Sequence, residues 1–267
     1  MEKVFKVLIF TDLDGSLLHR DTFKFDEIKD YLKQIISKGI CIIPNSSKTD
    51  NEILEFNNEL GTNMPYISEN GASINGLDLL NKELPQQLIL SRDKKILLDV
   101  FKKTVSLNLQ NKCKWLTEMD EKNQSLILGL DRQKLKNALD RKYTIPFIFN
   151  GSKNEKKELS RILKKKGIFL QEGGRVIHLT DRVNKAKALQ VFVRFFKKIN
   201  KNVKTIAVGD NYNDLDMLKT SDLPCLVFND KFTMDEIPIN NLIITNKPSP
   251  EGWTDVIKMA LVKIKKN

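Results

Sequence analysis

Short, wholly apolar runs alternate along this chain with stretches whose apolar residues recur every three or four positions. The run Val7-Leu8-Ile9-Phe10 is β-branched and aromatic with no polar alternation, and it predicts a strand over residues 3–10 that is buried on both faces. Residues 25–38 place Phe25, Ile28, Leu32, Ile35 and Ile36 on one helical stripe, with Gly39 as the terminator. A buried strand follows at residues 40–43. Thr49 and Glu52 then form a capping-box pattern ahead of Ile53, Leu54 and Leu60, and Gly61 ends that helix. Residues 65–68 and 72–75 read as strands around the turn Glu69-Asn70-Gly71. Strand alternating with helix predicts an α/β fold with a doubly wound, Rossmann-like parallel sheet.

The pattern changes near Leu84-Pro85. A helix is predicted over residues 91–105, then strands at 112–117 and 125–130, and a helix capped by Asp131 that ends near Arg141. A strand at 145–150, a helix at 154–166, a strand at 168–170, a turn at Gly173-Gly174 and a strand at 175–180 complete the segment. Antiparallel hairpins mixed with helices make an α+β unit, so residues 84–181 read as a domain inserted between core segments 1–83 and 182–267. Alternation then resumes, with helices at 184–198, 213–218 and 253–262 and strands at 203–208, 224–228 and 242–244. Residues 263–267 are expected to fray.

Composition narrows the class. A chain of 267 residues that is 40% hydrophobic can bury a large core. It has no apolar run long enough to span a bilayer, and its first residues lack the hydrophobic stretch and cleavage site of a signal peptide, so a cytoplasmic protein without membrane contact is expected. Cys41, Cys113 and Cys225 are too few and too scattered for a disulfide or metal framework, and His19 and His178 show no zinc spacing. The net charge of +11 arises from lysines spread along helical faces rather than clustered, which argues against nucleic acid as a partner and for a mild field around an acidic small molecule.

Chemistry-bearing residues gather where the predicted parallel strands end. Asp12 and Asp14 follow the first strand two positions apart, which in extended chain puts both carboxylates on one side. Ser46 and Lys48 follow the second strand, Asp210 and Asp214 follow a later one, and Lys185 opens a helix. Ligands of open α/β sheets bind beyond these strand ends. Taken singly, Ser46 suits a helix cap, Asp214 a first-turn acid and Lys185 a solvated surface. As a set they fit phosphoryl transfer. Asp12 is the candidate nucleophile, Asp14 the general acid and base, Ser46 and Lys185 the phosphate holders, and the acids Asp12, Asp14, Asp210 and Asp214 call for a hard divalent cation, Mg²⁺.

TDLDGSLL, NSSK, Lys185 and GDNYND in this order resemble the haloacid dehalogenase-like superfamily, and the insertion resembles a C2-type cap. SSKT, SENGA, the Gly-Gly-Arg turn before Val176-Ile177-His178-Leu179, and PEGW at residues 250–253 are similar to the mannosyl-3-phosphoglycerate phosphatase family over essentially the whole chain. The resemblance implies an aspartyl-phosphate phosphatase acting on mannosyl- or glucosyl-3-phosphoglycerate. It implies Asp12 as nucleophile and Mg²⁺ ligand, Asp14 as acid/base that lends its backbone carbonyl to the metal, Ser46 and Lys185 on the phosphoryl group, and Asp210 on the metal with Asp214 behind it. Register favours Lys185 over Lys187. Arg175 is the expected carboxylate holder, since a guanidinium matches a carboxylate bidentately, with Lys48, Asn70 and Ser152 as further substrate contacts. Another C2-capped phosphatase, acting on sucrose or hexose phosphate, is the alternative of the same class; a basic binding protein on a retained phosphatase fold is the alternative of a different one.

Overall fold

A computed structural model describes residues 6–173, 175–230 and 237–266. In chain order the elements are β1 (Val7–Thr11), α1 (Lys29–Ser37), β2 (Ile40–Pro44), α2 (Asp50–Leu60), β3 (Tyr66–Ser68), β4 (Ser73–Asn75) and β5 (Gln87–Ile89). The chain goes on with α3 (Lys94–Thr104), α4 (Leu107–Gln110), β6 (Cys113–Trp115), α5 (Glu121–Leu128), α6 (Arg132–Leu139), β7 (Ile145–Phe149), α7 (Lys153–Lys164), β8 (Ile168–Glu172) and β9 (Ile177–Asp181). Then come α8 (Lys185–Phe196), β10 (Lys204–Gly209), α9 (Leu215–Thr220), β11 (Leu223–Leu226), β12 (Ile243–Ile244) and α10 (Glu251–Lys266).

The core is a five-stranded sheet in the order β12-β11-β10-β1-β2, parallel throughout. Alternation along β1 explains why every one of its residues is apolar or fully buried. Val7 and Ile9 pack toward α1, α2 and α10 with Leu32, Ile53, Trp253 and Val256; Leu8 and Phe10 pack toward α8 and α9 with Leu189, Phe192 and Met217. Phe10 meets Phe192 edge to face at 5.2 Å, and each fully buried ring contributes roughly 1.5–3 kcal/mol. A small antiparallel sheet, β3-β4-β5, joins the core through a bridge between Asn45 and Ile67.

The cap has a four-stranded antiparallel sheet in the order β6-β7-β9-β8. One face packs on α3 and α7, with Leu97, Phe101, Phe147, Leu159, Leu163 and Leu179 in one cluster. Pro146 pairs with His178 across β7 and β9. Because strand side chains alternate, these two fall on the opposite face, which looks at the core.

Three sequence expectations change. Of residues 125–130, expected as a strand, 125–128 belong to α5: Asp120 accepts the Asn123 N–H at its N-terminus, and Gly129 ends it at φ +66°. Leu126 in that stretch is 80% exposed, so the alternating leucines did not mark a buried face. The strand β5 was not foreseen, because it is three residues long and only half covered. Helix α10 runs on to Lys266 through most of the segment expected to fray. Residues 3–5 of the first expected strand, Gly174 of the expected turn, and Asn267 lie outside the described residues.

Candidate active site

Parallel pairing brings the first acids together. The Asp12 N–H donates to Val208 O (2.9 Å) and the Asn45 N–H to Thr11 O (2.8 Å), so the ends of β1, β2 and β10 meet at one edge. Beneath them the Trp253 indole N–H donates to Thr11 Oγ1 (2.9 Å), which ties the PEGW stretch to the residue before Asp12. Gly15 stands at φ +82°, and a Cβ there would lie 2.7 Å from Asp210 Oδ2; only glycine lets the chain turn this close to that carboxylate.

Lys185 is buried at the start of α8. Its Nζ lies 2.7 Å from Asp12 Oδ1 and donates to Asp214 Oδ1, also at 2.7 Å. Burial opposes a charge on Lys185, but Asp12 and Asp214 outweigh it and hold its pKa above the ordinary lysine range. The choice between Lys185 and Lys187 follows from the cap: Asn184 accepts the Lys187 N–H (2.8 Å), and the Lys187 Nζ turns outward to Arg182 O. Gly71 at φ +93° packs so tightly on the Asn184 carbonyl that a Cβ would come within 2.3 Å, which seats the Glu69-Asn70-Gly71 turn against this helix start.

Asp12, Asp210 and Asp214 each place a carboxylate oxygen within 4.8 Å of the others. Asp210 Oδ1 accepts from Ser16 Oγ (3.0 Å); Oδ2 accepts from Arg20 Nη2 (2.5 Å) and Asn229 Nδ2 (3.1 Å). Burial, then Asp214 and Asp12, push the Asp210 carboxyl up to about 7. Asp214 takes the N–H groups of Asp210 and Asn211 on its second oxygen (3.2 and 3.3 Å), so it acts as a buried support. Hard oxygen donors crowded until they resist ionisation are a donor set that suits a small divalent cation.

Asp14 stands apart from that cluster. Its carboxylate lies 3.0 Å from Lys48 Nζ and opens to a cavity. Burial raises its pKa, Lys48 opposes this, and Asp12 adds to it; a net upward shift suits a group that must hold a proton. Lys48 is also held at 3.3 Å by Glu52, whose other oxygen accepts the Thr49 N–H in the expected capping box.

The cavity of about 220 Å³ is walled by Asp12, Asp14, Arg20, Lys48 and Asp210 from the core, and by Arg141, Pro146, Arg175 and His178 from the cap. Ser46 is buried and does not line the cavity, although its neighbours Ser47 and Lys48 do; its Oγ accepts the Lys48 N–H (3.3 Å). Asn70, at φ +60°, contributes its backbone, donating to Ser46 O (2.9 Å), and does not line the cavity. Ser152 also stands away from it: its hydroxyl accepts the Glu155 N–H as the cap of α7, an occupation set by the local Ser-x-x-Glu pattern. Arg175 reaches the rim, with its guanidinium 5.4 Å from the Phe23 ring and one nitrogen donating to Leu128 O.

Sequence reasoning missed Arg20, Arg141 and Glu69. The Glu69 carboxylate accepts from the N–H groups of Lys142 (2.8 Å), Tyr143 (3.2 Å) and Thr144 (2.8 Å) and from Thr144 Oγ1 (2.7 Å), joining core to cap. Its signals were an acidic residue in a turn and its place in the SENGA stretch, neither of which named a partner in the cap.

The chain matches the model of the haloacid dehalogenase-like hydrolase family over residues 9–237. A glucosyl-3-phosphoglycerate/mannosyl-3-phosphoglycerate phosphatase of Persephonella marina is 29% identical, the match spanning 97% of this chain and 99% of that protein. A phosphatase of the same description from Methanococcoides burtonii is 30% identical over 94% and 96%. The fold is similar to the sucrose-phosphatase of Synechocystis solved with sucrose and phosphate: TM-score 0.60, 13% identity, covering 96% of this chain and 98% of that one.

Proposed function

Because the chain belongs to the haloacid dehalogenase-like hydrolases, within the mannosyl-3-phosphoglycerate phosphatase family, and is a phosphatase, we propose that it is Mg²⁺-dependent and hydrolyses a glycosyl-3-phosphoglycerate to the glycosylglycerate and phosphate. The observation that carries this reading is the placement of Asp12 and Asp14 in one cavity, the first paired with Lys185 and the second with Lys48. The substrate class comes from the two relatives matched over nearly their full length.

In this reading an Asp12 carboxylate oxygen attacks phosphorus, and the phosphoryl group passes to it as the bond to the glycerate oxygen breaks. Asp14 gives its proton to the leaving alkoxide. A water then attacks the acyl phosphate, Asp14 takes the water's proton, and phosphate leaves with Asp12 restored. Lys185 and the Ser46 hydroxyl face the phosphoryl oxygens as charge shifts onto them. Asp12, Asp210 and the backbone carbonyl of Asp14 would hold Mg²⁺, with Asp214 buttressing Asp210. When bound, the ion offsets the negative charge shared by phosphate and carboxylates. Residues 84–181 act as the cap that excludes water in the first transfer, with Arg175 and Lys48 at the substrate's edge.

Phosphate release from mannosyl- and glucosyl-3-phosphoglycerate, sucrose phosphate and hexose phosphates tests the reading. We expect the glycosyl-3-phosphoglycerates to lead in kcat/KM, EDTA to abolish turnover, and Asp12→Asn to cut kcat at least about 10³-fold. Sucrose or hexose phosphate leading the panel would overturn the substrate. Turnover surviving Asp12→Asn would remove Asp12 as nucleophile.

A further inference from the structure

The floor of the cavity is spoken for by phosphoryl chemistry; its roof holds two buried cap side chains with free hydrogen-bonding capacity. Arg141 follows α6 and is 9% exposed. Its Nη1 donates to Ser47 O (3.0 Å) and Thr144 Oγ1 (2.9 Å), while its Nε is buried without an acceptor among the described residues. Glu52 is close enough to feel its charge, but the Glu52 oxygens are taken by Lys48 and Thr49. No carboxylate therefore pairs with this guanidinium among the described residues. A buried, uncompensated cation costs several kcal/mol, and a site that keeps one is made to receive an anion.

His178 lines the same cavity from β9, 4% exposed, and its Nδ1 has no partner among the described residues. Burial and the neighbouring Arg141 hold its pKa well below the ordinary 6.5, so the ring is neutral at pH 7. The buried part of the roof therefore carries one positive charge beside one neutral donor and acceptor, with Arg175 at its exposed rim. That complement is wrong for a second phosphate dianion and right for one carboxylate flanked by a hydroxyl or ether oxygen. Arg175, by contrast, is exposed, with one guanidinium nitrogen donating to Leu128 O and the group lying over the Phe23 ring.

We propose that Arg141 holds the substrate's carboxylate and that His178 reads the oxygen next to it, making this pair a specificity site for phosphate esters of hydroxy acids. The proposal deepens the glycosyl-3-phosphoglycerate reading and rests on it for the full substrate. Its spacing is built in: Arg141 is bonded to Ser47, next in chain to the phosphate-side Ser46. Phosphate and carboxylate sites are thus fixed relative to each other, as suits a ligand carrying both groups on one three-carbon unit.

The test compares wild type with Arg141→Lys and His178→Gln on mannosyl-3-phosphoglycerate, on its analogue with a carboxamide in place of the carboxylate, and on p-nitrophenyl phosphate. Wild type should prefer the carboxylate to the carboxamide by about 10- to 100-fold in KM. Arg141→Lys should lose most of that preference, and its kcat/KM should fall about 10-fold further on the natural substrate than on p-nitrophenyl phosphate. Equal losses on all three substrates would make Arg141 a structural residue and overturn the proposal, as would an intact preference. Should Arg141→Lys fail to fold, His178→Gln gives the same comparison, with an expected rise in KM confined to the glycerate substrates; an unchanged KM overturns its part. If wild type ignores glycosyl-3-phosphoglycerates altogether, the substrate reading fails by itself. Inhibition of p-nitrophenyl phosphate hydrolysis by 3-phosphoglycerate, weakened in Arg141→Lys or not, then still decides the carboxylate site.

Discussion

Asp210 is the most heavily engaged carboxylate in the site, with Ser16, Arg20 and Asn229 donating to its two oxygens. Arg20 supplies positive charge where the proposed Mg²⁺ would act, so the two compete for the same electrons. Arg20→Gln should therefore tighten Mg²⁺ binding by about 5- to 10-fold in calorimetry without substrate, since a partly exposed ion pair is worth about 1 kcal/mol; weaker binding would show that Arg20 organises the site instead. At this scale the sequence was informative where a side chain belongs to a strand end or a helix start: the positions of Asp12, Asp14, Asp210 and Lys185 follow from local pattern alone. Arg20 and Arg141 reach the cavity only through the packing of segments far apart in the chain, and no spacing announces that.

Short elements decide how the cap meets the core. Glu69, in a left-handed turn at φ +46°, accepts four hydrogen bonds from residues 142–144. Glu69→Ala leaves the buried donors of Tyr143 and Thr144 unpaired, at about 1–3 kcal/mol each before relaxation. We expect a total loss of about 3 kcal/mol in urea unfolding and a lower kcat/KM, because the segment so anchored carries Arg141. A loss below about 1 kcal/mol would mean that water replaces the carboxylate. Most core elements were legible because buried parallel strands are continuous apolar runs and their helices carry clean stripes. The 121–128 helix was not: its leucines alternate as a strand's would, and the end signals, Asp120 and Gly129, were the better guide.

For the whole molecule, pH acts through buried groups. Below pH 6.5 the unfolded chain protonates His178 and the folded chain does not, so unfolding takes up a proton and acid promotes it. This contribution lowers stability as pH falls from 7 toward 5, by at most about 1.4 kcal/mol per pH unit. Wild type should lose more unfolding free energy than His178→Gln over that interval; parallel losses would mean that the ring is protonated in the fold. The architecture, an α/β core with an inserted α+β segment, was legible as a change in element order, although β5 (Gln87–Ile89) still pairs with β4 in the sheet that joins the core. The fit of cap to core was not, because it depends on contacts such as Pro146 beside His178 on one strand face.

The loop after β2 and the start of α2 are held from above at several points: Ser47 O accepts from Arg141, Thr49 Oγ1 donates to Asn137 O (2.8 Å), and Asn51 donates to Asp140 (2.9 Å). The same loop carries Ser46. A cap that lifts must break these bonds, and a cap that settles can remake them only when the loop has its ordered shape. In the proposed mechanism phosphate release would therefore be tied to the lifting of the cap, and solvent viscosity should slow kcat; a kcat indifferent to viscosity would uncouple the two.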